Sequence, residues 1–369
     1  MKLLFTYLTS FKGHGGIEKF NKAFMKALLN SSSVSKVKVS SAYDASGDLK
    51  YVKASQFTGY AGKRIQYLLD TIKAALSADI LITGHINLSL VGVLAKVLRP
   101  KLTLVCIAHG IDVWYDLSKL KRLMLIKSDH ILSVSSFTRQ KLIERHKLST
   151  SKISVFPNTL DPYFKLPSSF LKPEYLLRRY KVSETWPVLL SVCRLSSLEG
   201  YKGYDTVISA LPAILKVFPD VKYIIVGKYD QGEYRRINSL TKELGVEDHV
   251  LLTGFVPEVE LTDHFLLGDV YTMPSREEGF GIVYIEAMAC GLPVIAGNAD
   301  GSVDALDHGK LGTLIDPTNS VELADATVAL LRDPMSLDQK RDLQRRVMDK
   351  FGFERFSSRL NQFLEEIKK

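Results

Sequence analysis

The sequence predicts an α/β protein of two successive domains, each a parallel sheet wound with crossover helices. Short β-rich apolar runs alternate with helical patterns, the pattern of strands joined by crossover helices. The plan also occurs twice along 369 residues, a length that favours two cores over one. Between the halves lies PNTLDPYFKLPSSFLKPEY (157–175), which has the proline-marked composition of a linker. The domains are therefore expected at 1–165 and 176–350. The amphipathic ending ERFSSRLNQFLEEIKK predicts a last helix, about 353–369, that returns to the first domain.

In the first half KLLFTYL, VKVSSAY, DILITG, LTLVCIAH, HILSVS and ISVFPN read as strands. Stretches such as GIEKFNKAFMKALL and FTRQKLIERH read as helices between them. The second half repeats the layout with VLLSVCR, VKYIIVG, HVLLTG, DVYTMP and PVIAG. The opening MKLLFTYLTSFKGHGG has an apolar run too short for a signal-peptide core and no small-residue cleavage site, so it reads as a first buried strand. Nowhere do about 18 apolar residues run uninterrupted, so no membrane span is expected. Cys106, Cys193 and Cys290 form no CxxC pair and each falls in an apolar run, the pattern of buried free thiols in a reducing cytosol.

Charge is unevenly spread. Residues 1–165 hold 25 Lys and Arg against 10 Asp and Glu, leaving 24 against 30 in the remainder. A half carrying +15 suits an anionic partner, with a merely solvated lysine-rich surface as the alternative. A nucleic-acid binder could use such a half, yet no binding module or basic–aromatic sheet pattern is present. A nicotinamide-dependent dehydrogenase needs Gly-x-Gly-x-x-Gly after its first strand, and GHGGIE (13–18) has the wrong spacing.

The most informative stretch is EEGFGIVYIE, residues 277–286. DVYTMPS reads as a buried strand, REEGFG as the turn after it and IVYIEAMACG as a helix closed by Gly291. A helix start after a glycine turn leaves backbone N–H groups unpaired, and the helix dipole favours an anion there. Gly279 and Gly281 remove side chains that would block close approach. Glu278 and Glu286 flank this anion site as acceptor-only groups for hydroxyl pairs, one for a ribose and one for a second polyol, which together describe a nucleotide sugar.

SREEGFGIVYIEAMACGLPVIA resembles the Glu-x7-Glu segment of the retaining family 4 glycosyltransferases of bacterial surface-polysaccharide type. The resemblance runs almost end to end, through GGIEKF, AHGIDVW, SVSSFTRQKL, FPNTLD, SVCRL with YKGYDTVISAL, VGKYDQGEYRRI, LLTGFVPEVEL and ADGSVDALDHGKLGTLIDP. It implies the GT-B fold, two facing Rossmann-like domains with a deep interdomain cleft. The first domain would bind acceptor and the second the nucleotide sugar.

Residue by residue, the resemblance gives Glu286 the ribose and Glu278 the hydroxyls of the donor sugar. The backbone of Phe280, Gly281 and Ile282 would meet the pyrophosphate, and Phe255 and Val256 in TGFV would pass under the base. Arg194 and Lys202 match the basic pair that neutralises the diphosphate, which gains charge as the glycosidic bond breaks. Gly15 and Gly16 match the N-terminal glycine loop. His109 matches a histidine beside the transferred sugar and belongs with Arg194, Lys202 and Glu278 in the catalytic set. His85, Asn87 and Asp112 lie on strand-end loops expected at the same place, as acceptor contacts or as loop caps.

Two positions depart from the pattern. Val303-Asp304 stands where many relatives have Pro-Glu, and the usual glycine-rich turn is replaced by GKYDQG, so neither a donor contact there nor base selectivity carries over.

The implied reaction moves a hexosyl unit from a nucleoside diphosphate sugar, a UDP- or GDP-hexose, to a hydroxyl of a saccharide or lipid-linked acceptor, with retention. No cofactor and no metal are expected, because Arg194 and Lys202 would replace the cation. The remaining alternatives are a GT-B sugar-nucleotide epimerase and a catalytically silent basic protein with this fold that binds membrane or nucleic acid. Basic residues interleaved with leucine and isoleucine in GKRIQYLLDTIKAAL (62–76) and SKLKRLMLIKSDH (118–130) predict a cytoplasmic enzyme peripheral on the inner face of the membrane. There it would build a precursor of a surface glycan such as lipopolysaccharide, with no nucleic-acid partner.

Overall fold

A computed structural model describes every residue except His14, Leu198 and Lys369. The chain forms two compact units, Met1–Tyr163 with Phe351–Lys369 and Phe164–Lys350.

The first unit is a seven-stranded sheet of β1 (Lys2–Tyr7), β2 (Lys36–Ser41), β3 (Phe57–Gly59), β4 (Ile80–Thr83), β5 (Thr103–Ala108), β6 (His130–Ser133) and β7 (Ile153–Val155). Their order is β3-β2-β1-β4-β5-β6-β7, and every pairing is parallel. Central strands such as Ile80–Thr83 are buried throughout, as helices on both faces require, and so read as apolar runs rather than alternating patterns.

The second unit is a six-stranded parallel sheet of β8 (Val188–Val192), β9 (Lys222–Val226), β10 (Val250–Gly254), β11 (Val270–Met273), β12 (Val294–Gly297) and β13 (Thr313–Ile315). The order is β10-β9-β8-β11-β12-β13. Across the two sheets β3 and β13, three-residue edge strands, escape the sequence reading, whereas the equally short edge strand β7 falls within the expected ISVFPN.

The helix Gly16–Asn30 turns Phe20, Phe24 and Leu28 inward at helical spacing. The terminal helix Phe353–Glu366 packs on it through Phe356. Phe356 meets Phe20 at 5.9 Å, Phe24 at 6.3 Å and Phe156 at 4.8 Å between ring centroids, each edge to face. Thr159 and Leu160 donate to the Phe351 carbonyl, holding the returning chain to this unit.

The helix Arg64–Ala75 corrects the simplest reading of its apolar stripe. Tyr67, Thr71 and Ala75 are its buried positions, while Ile65 and Leu69 are 77% and 62% exposed. All three cysteines are free thiols, with Cys106 and Cys290 buried as expected and Cys193 only half-buried. Among the described residues no helix is long and apolar enough to cross a membrane.

Phe356→Ala is expected to lower stability by roughly 3–5 kcal/mol, the usual loss for a buried phenylalanine. A urea titration following the first unit will read this as a lower midpoint at unchanged slope, and an unchanged midpoint would show that the helix is not part of that core.

Candidate functional site

Strand order reverses once in each sheet, between β1 and β4 and between β8 and β11. Loops after such a pair diverge, and the carboxyl ends of the strands there are where open α/β sheets hold ligands. The site residues expected from sequence fall at these ends.

In the second unit Arg194 follows β8, and Lys202 closes the 3-10 turn Gly200–Lys202 leading to the helix Tyr204–Leu215. Gly203 makes that approach possible. Its φ is +81°, and a Cβ there would lie 2.1 Å from the Pro274 carbonyl oxygen at the end of β11. The two loops are tied further by Arg276 N–H donating to Tyr201 O at 2.9 Å and by Ser275 Oγ donating to the same carbonyl.

Lys202 is thereby brought against Glu278, with about 16% and 15% of the two side chains exposed. Burial opposes the charge on Lys202, but the Glu278 carboxylate outweighs it and holds the ammonium above the ordinary lysine range. Arg194 is paired with Glu199, and 70% of its side chain is exposed. Both expected phosphate-neutralising cations therefore rest on carboxylates, an arrangement that motif spacing does not show.

After Glu278 the chain turns through Gly281 (φ +83°) into the helix Ile282–Ala289, whose Glu286 is 1% exposed. Phe280 is buried beneath the turn, which leaves its backbone to line the site. Phe255 and Val256 follow β10, with Phe255 57% exposed.

Asp300 was missed at the sequence level. Its carboxylate accepts from Glu278 N–H at 2.6 Å and from Ser302 N–H at 2.8 Å, and Gly301 N–H donates back to Glu278 O at 2.8 Å. It fixes the Glu278 turn to the β12 loop. The available signal was an Asp two residues before the helix Ser302–Ala305, in the stretch already singled out as ADGSVDAL. Burial raises its carboxyl to about 7, against the backbone bonds that favour the charged form.

In the first unit Gly15 caps the helix Gly16–Asn30, and the Glu18 side chain folds back over the glycine loop. A Cβ at Gly15 would lie 2.5 Å from Glu18 Oε2, whereas one at Gly16 would meet nothing within 4 Å. His85 follows β4, and its Nδ1 accepts from Asn87 N–H at 3.0 Å, so one ring nitrogen caps its own turn. Asn87 itself is exposed.

His109 follows β5. Its Nε2 meets the Gly84 carbonyl at 2.8 Å, which requires Nε2 to carry the proton and leaves Nδ1 with the lone pair. Burial, reinforced by His85 with rings 6.1 Å apart, lowers His109 to about 3 and keeps it neutral. Burial and Lys121 likewise lower His85 to about 4. Asp112 Oδ1 accepts from His109 N–H at 3.0 Å, and burial raises this carboxyl to about 7. The structure thus gathers Gly15, Gly16, His85, His109 and Asp112 at one end of the first sheet, and Arg194, Lys202, Glu278 and Glu286 at the same end of the second. Among the described residues no three His, Cys, Asp or Glu side chains are grouped to hold a metal ion.

The profile of the family described as Glycosyl transferases group 1 matches residues 178–348, and that of Glycosyltransferase Family 4 matches residues 50–164. Both profiles describe glycosyltransferases. The chain is 35% identical over 237 residues to the GDP-mannose-dependent alpha-(1-6)-phosphatidylinositol monomannoside mannosyltransferase of Mycobacterium tuberculosis, a match covering 61% of this chain and 59% of that one. The Mycolicibacterium smegmatis protein of the same description is 33% identical over 259 residues, covering 67% of this chain and 65% of the relative. The chain thus spans less than two thirds of either relative. The crystal structure of Anabaena HepE in complex with UDP superposes with a TM-score of 0.80 at 21% identity, covering 99% of this chain and 100% of that one. Likeness at that identity speaks for fold, and the chain has the GT-B fold.

The Asp300 carboxyl gives a signed expectation. Its folded value, about 7, lies above the ordinary 3.8, so its contribution to stability is fully present below the unfolded value and is lost as pH rises through 7. The Tm of the native chain minus that of Asp300→Asn should therefore be larger at pH 5 than at pH 8. Parallel melting curves across that range would refute the assignment.

Proposed function

We propose that this chain is a retaining, metal-independent glycosyltransferase of family 4. It would move a hexosyl unit from a UDP- or GDP-sugar to a hydroxyl of a saccharide or lipid-linked acceptor in the synthesis of a cell-surface glycan. The observation that carries the reading is the placement of Arg194 and Lys202 after β8 and of Glu278 and Glu286 after β11, the two strands at which the order of the second sheet reverses.

That arrangement supplies what the reaction needs. The departing diphosphate gains charge as the glycosidic bond breaks, and fixed cations with the start of the helix Ile282–Ala289 stabilise it at no reorganisation cost. Lys202 is already ordered by Glu278, so donor binding would share the ammonium between carboxylate and phosphate. Glu286 would accept from the ribose hydroxyls and Glu278 from those of the sugar. With the two acids used for binding, the leaving phosphate would take the acceptor proton on the same face of the sugar, which gives retention. Cationic side chains beside the diphosphate would take the metal ion's part.

The first unit would serve acceptor and transferred sugar through Gly15, Gly16, His85, Asn87, His109 and Asp112. His109 would contribute as a neutral acceptor through Nδ1 rather than as a proton donor. The mycobacterial relatives are described as using GDP-mannose and the Anabaena structure holds UDP, so sugars of both nucleotides are the donors to screen.

Lys202→Ala and Glu286→Ala are each expected to lower turnover by about 10²–10³ with the fold intact, the usual loss of one transition-state contact. EDTA should leave the rate unchanged, and the anomeric coupling in the product NMR spectrum should match that of the donor. Native rates in either variant, strict metal dependence or an inverted product would each overturn the corresponding part.

We further propose that the first unit docks on anionic membrane. The helices Arg64–Ala75, Ser89–Leu98 and Lys119–Lys127 pack side by side. They expose Ile65, Leu69, Val97, Leu98, Leu123 and Ile126 among Lys63, Arg64, Lys73, Lys119, Arg122 and Lys127. Each basic residue near an acidic surface contributes roughly 1 kcal/mol, screened by salt. Co-sedimentation should be stronger with phosphatidylglycerol vesicles than with phosphatidylcholine vesicles and should weaken as salt rises. Equal binding to both at low salt would remove this part and leave the catalytic reading standing.

A further inference from the structure

The geometry points to Tyr229 as the stacking platform for the base of the nucleotide donor. This inference rests on the donor reading above. Tyr229 lies in GKYDQG, the turn that departs from the glycine-rich pattern of the family and to which motif comparison assigns no ligand.

Three observations place the ring. Its backbone lies beside the end of β8: Leu195 N–H donates to Lys228 O at 2.9 Å and Asp230 N–H donates to Leu195 O at 3.1 Å, so Tyr229 is paired with Leu195, the residue after Arg194. The other neighbour is the end of β10, where the ring comes within 3.9 Å of the position a Cβ would take at Gly254, the residue before Phe255. Tyr234, from the helix Gln231–Glu243, stacks on the ring with centroids 5.0 Å apart and planes 29° from parallel.

Tyr229 is therefore supported by a second ring yet only half-buried, at the carboxyl end of β9 between the strand ends assigned to the diphosphate and to the base. A flat, buttressed aromatic surface there fits a heteroaromatic base, because every base presents a π face and stacking tolerates base identity. The structural alternative is that the two tyrosines only cover the start of their helix. That role would depend on bulk, not on an aromatic face.

Titration calorimetry with UDP, GDP and inorganic pyrophosphate separates these outcomes, applied to the full chain and to its Tyr229→Phe, Tyr229→Leu and Tyr229→Ala variants. We expect Tyr229→Ala and Tyr229→Leu to weaken binding of the preferred nucleoside diphosphate about tenfold or more. Tyr229→Phe should stay within about twofold of the native chain, and pyrophosphate affinity should be the same in all four proteins. Unchanged nucleotide binding in Tyr229→Leu, or a parallel loss for pyrophosphate, overturns the stacking role while leaving the donor reading intact. A native chain that binds neither nucleotide overturns both.

Discussion

A parallel sheet whose strand order reverses has one place along its edge where consecutive crossovers part, and everything functional here depends on that parting. In the second sheet it separates the loops after β8 and β11, and backbone contacts then draw them together again: Gly203 against the Pro274 carbonyl, and Arg276 and Ser275 on Tyr201. Lys202 and Glu278, 76 residues apart, become neighbours only because of this. The first sheet uses the same device between β1 and β4, which brings a glycine loop and two histidine-bearing strand ends to one edge.

Much of this was legible in the sequence, for physical reasons that differ between elements. Fully buried parallel strands such as β4 and β5 cannot avoid being apolar runs, so they announce themselves. The glycine turn before the helix Ile282–Ala289 was legible because Gly281, at φ +83°, occupies a conformation that favours a residue without a Cβ. β3 and β13, three residues each at a sheet edge, were not, whereas the equally short β7 lies within the longer stretch ISVFPN. Nor could spacing reveal the inward face of Arg64–Ala75. Its Ile65 and Leu69 are exposed, while Tyr67, Thr71 and Ala75 are buried and Leu68 packs beside them. Asp300 escaped for a third reason: it acts on the Glu278 turn, 22 residues away, and motif spacing does not show that pairing.

The electrostatics of the two site halves contrast. The second unit keeps its charges and matches them, Lys202 with Glu278 and Arg194 with Glu199. The first unit suppresses charge, with His85 and His109 held neutral and Asp112 pushed up to about 7. A neutral hydrogen-bonding surface discriminates hydroxyls by geometry, whereas paired ions can be re-partnered by an incoming phosphate at little desolvation cost. On the donor and acceptor roles proposed above, the dielectric surroundings of each half would serve its ligand as much as residue identity does.

The aromatic cluster of Phe20, Phe24, Phe156 and Phe356 has a consequence for how the protein is made. The first unit is interrupted, because its last helix is encoded after the whole of Phe164–Lys350. On the ribosome the middle of the chain can therefore complete its core while the beginning still waits for Phe356. Until that ring arrives, Phe20, Phe24 and Phe156 lack the partner that closes over them, and the nascent chain presents an unfinished apolar seam for as long as nearly two hundred residues take to be translated. Premature termination anywhere in the second unit would thus leave the first unit, already synthesised in full up to Tyr163, without its lid and exposed to proteases and chaperones.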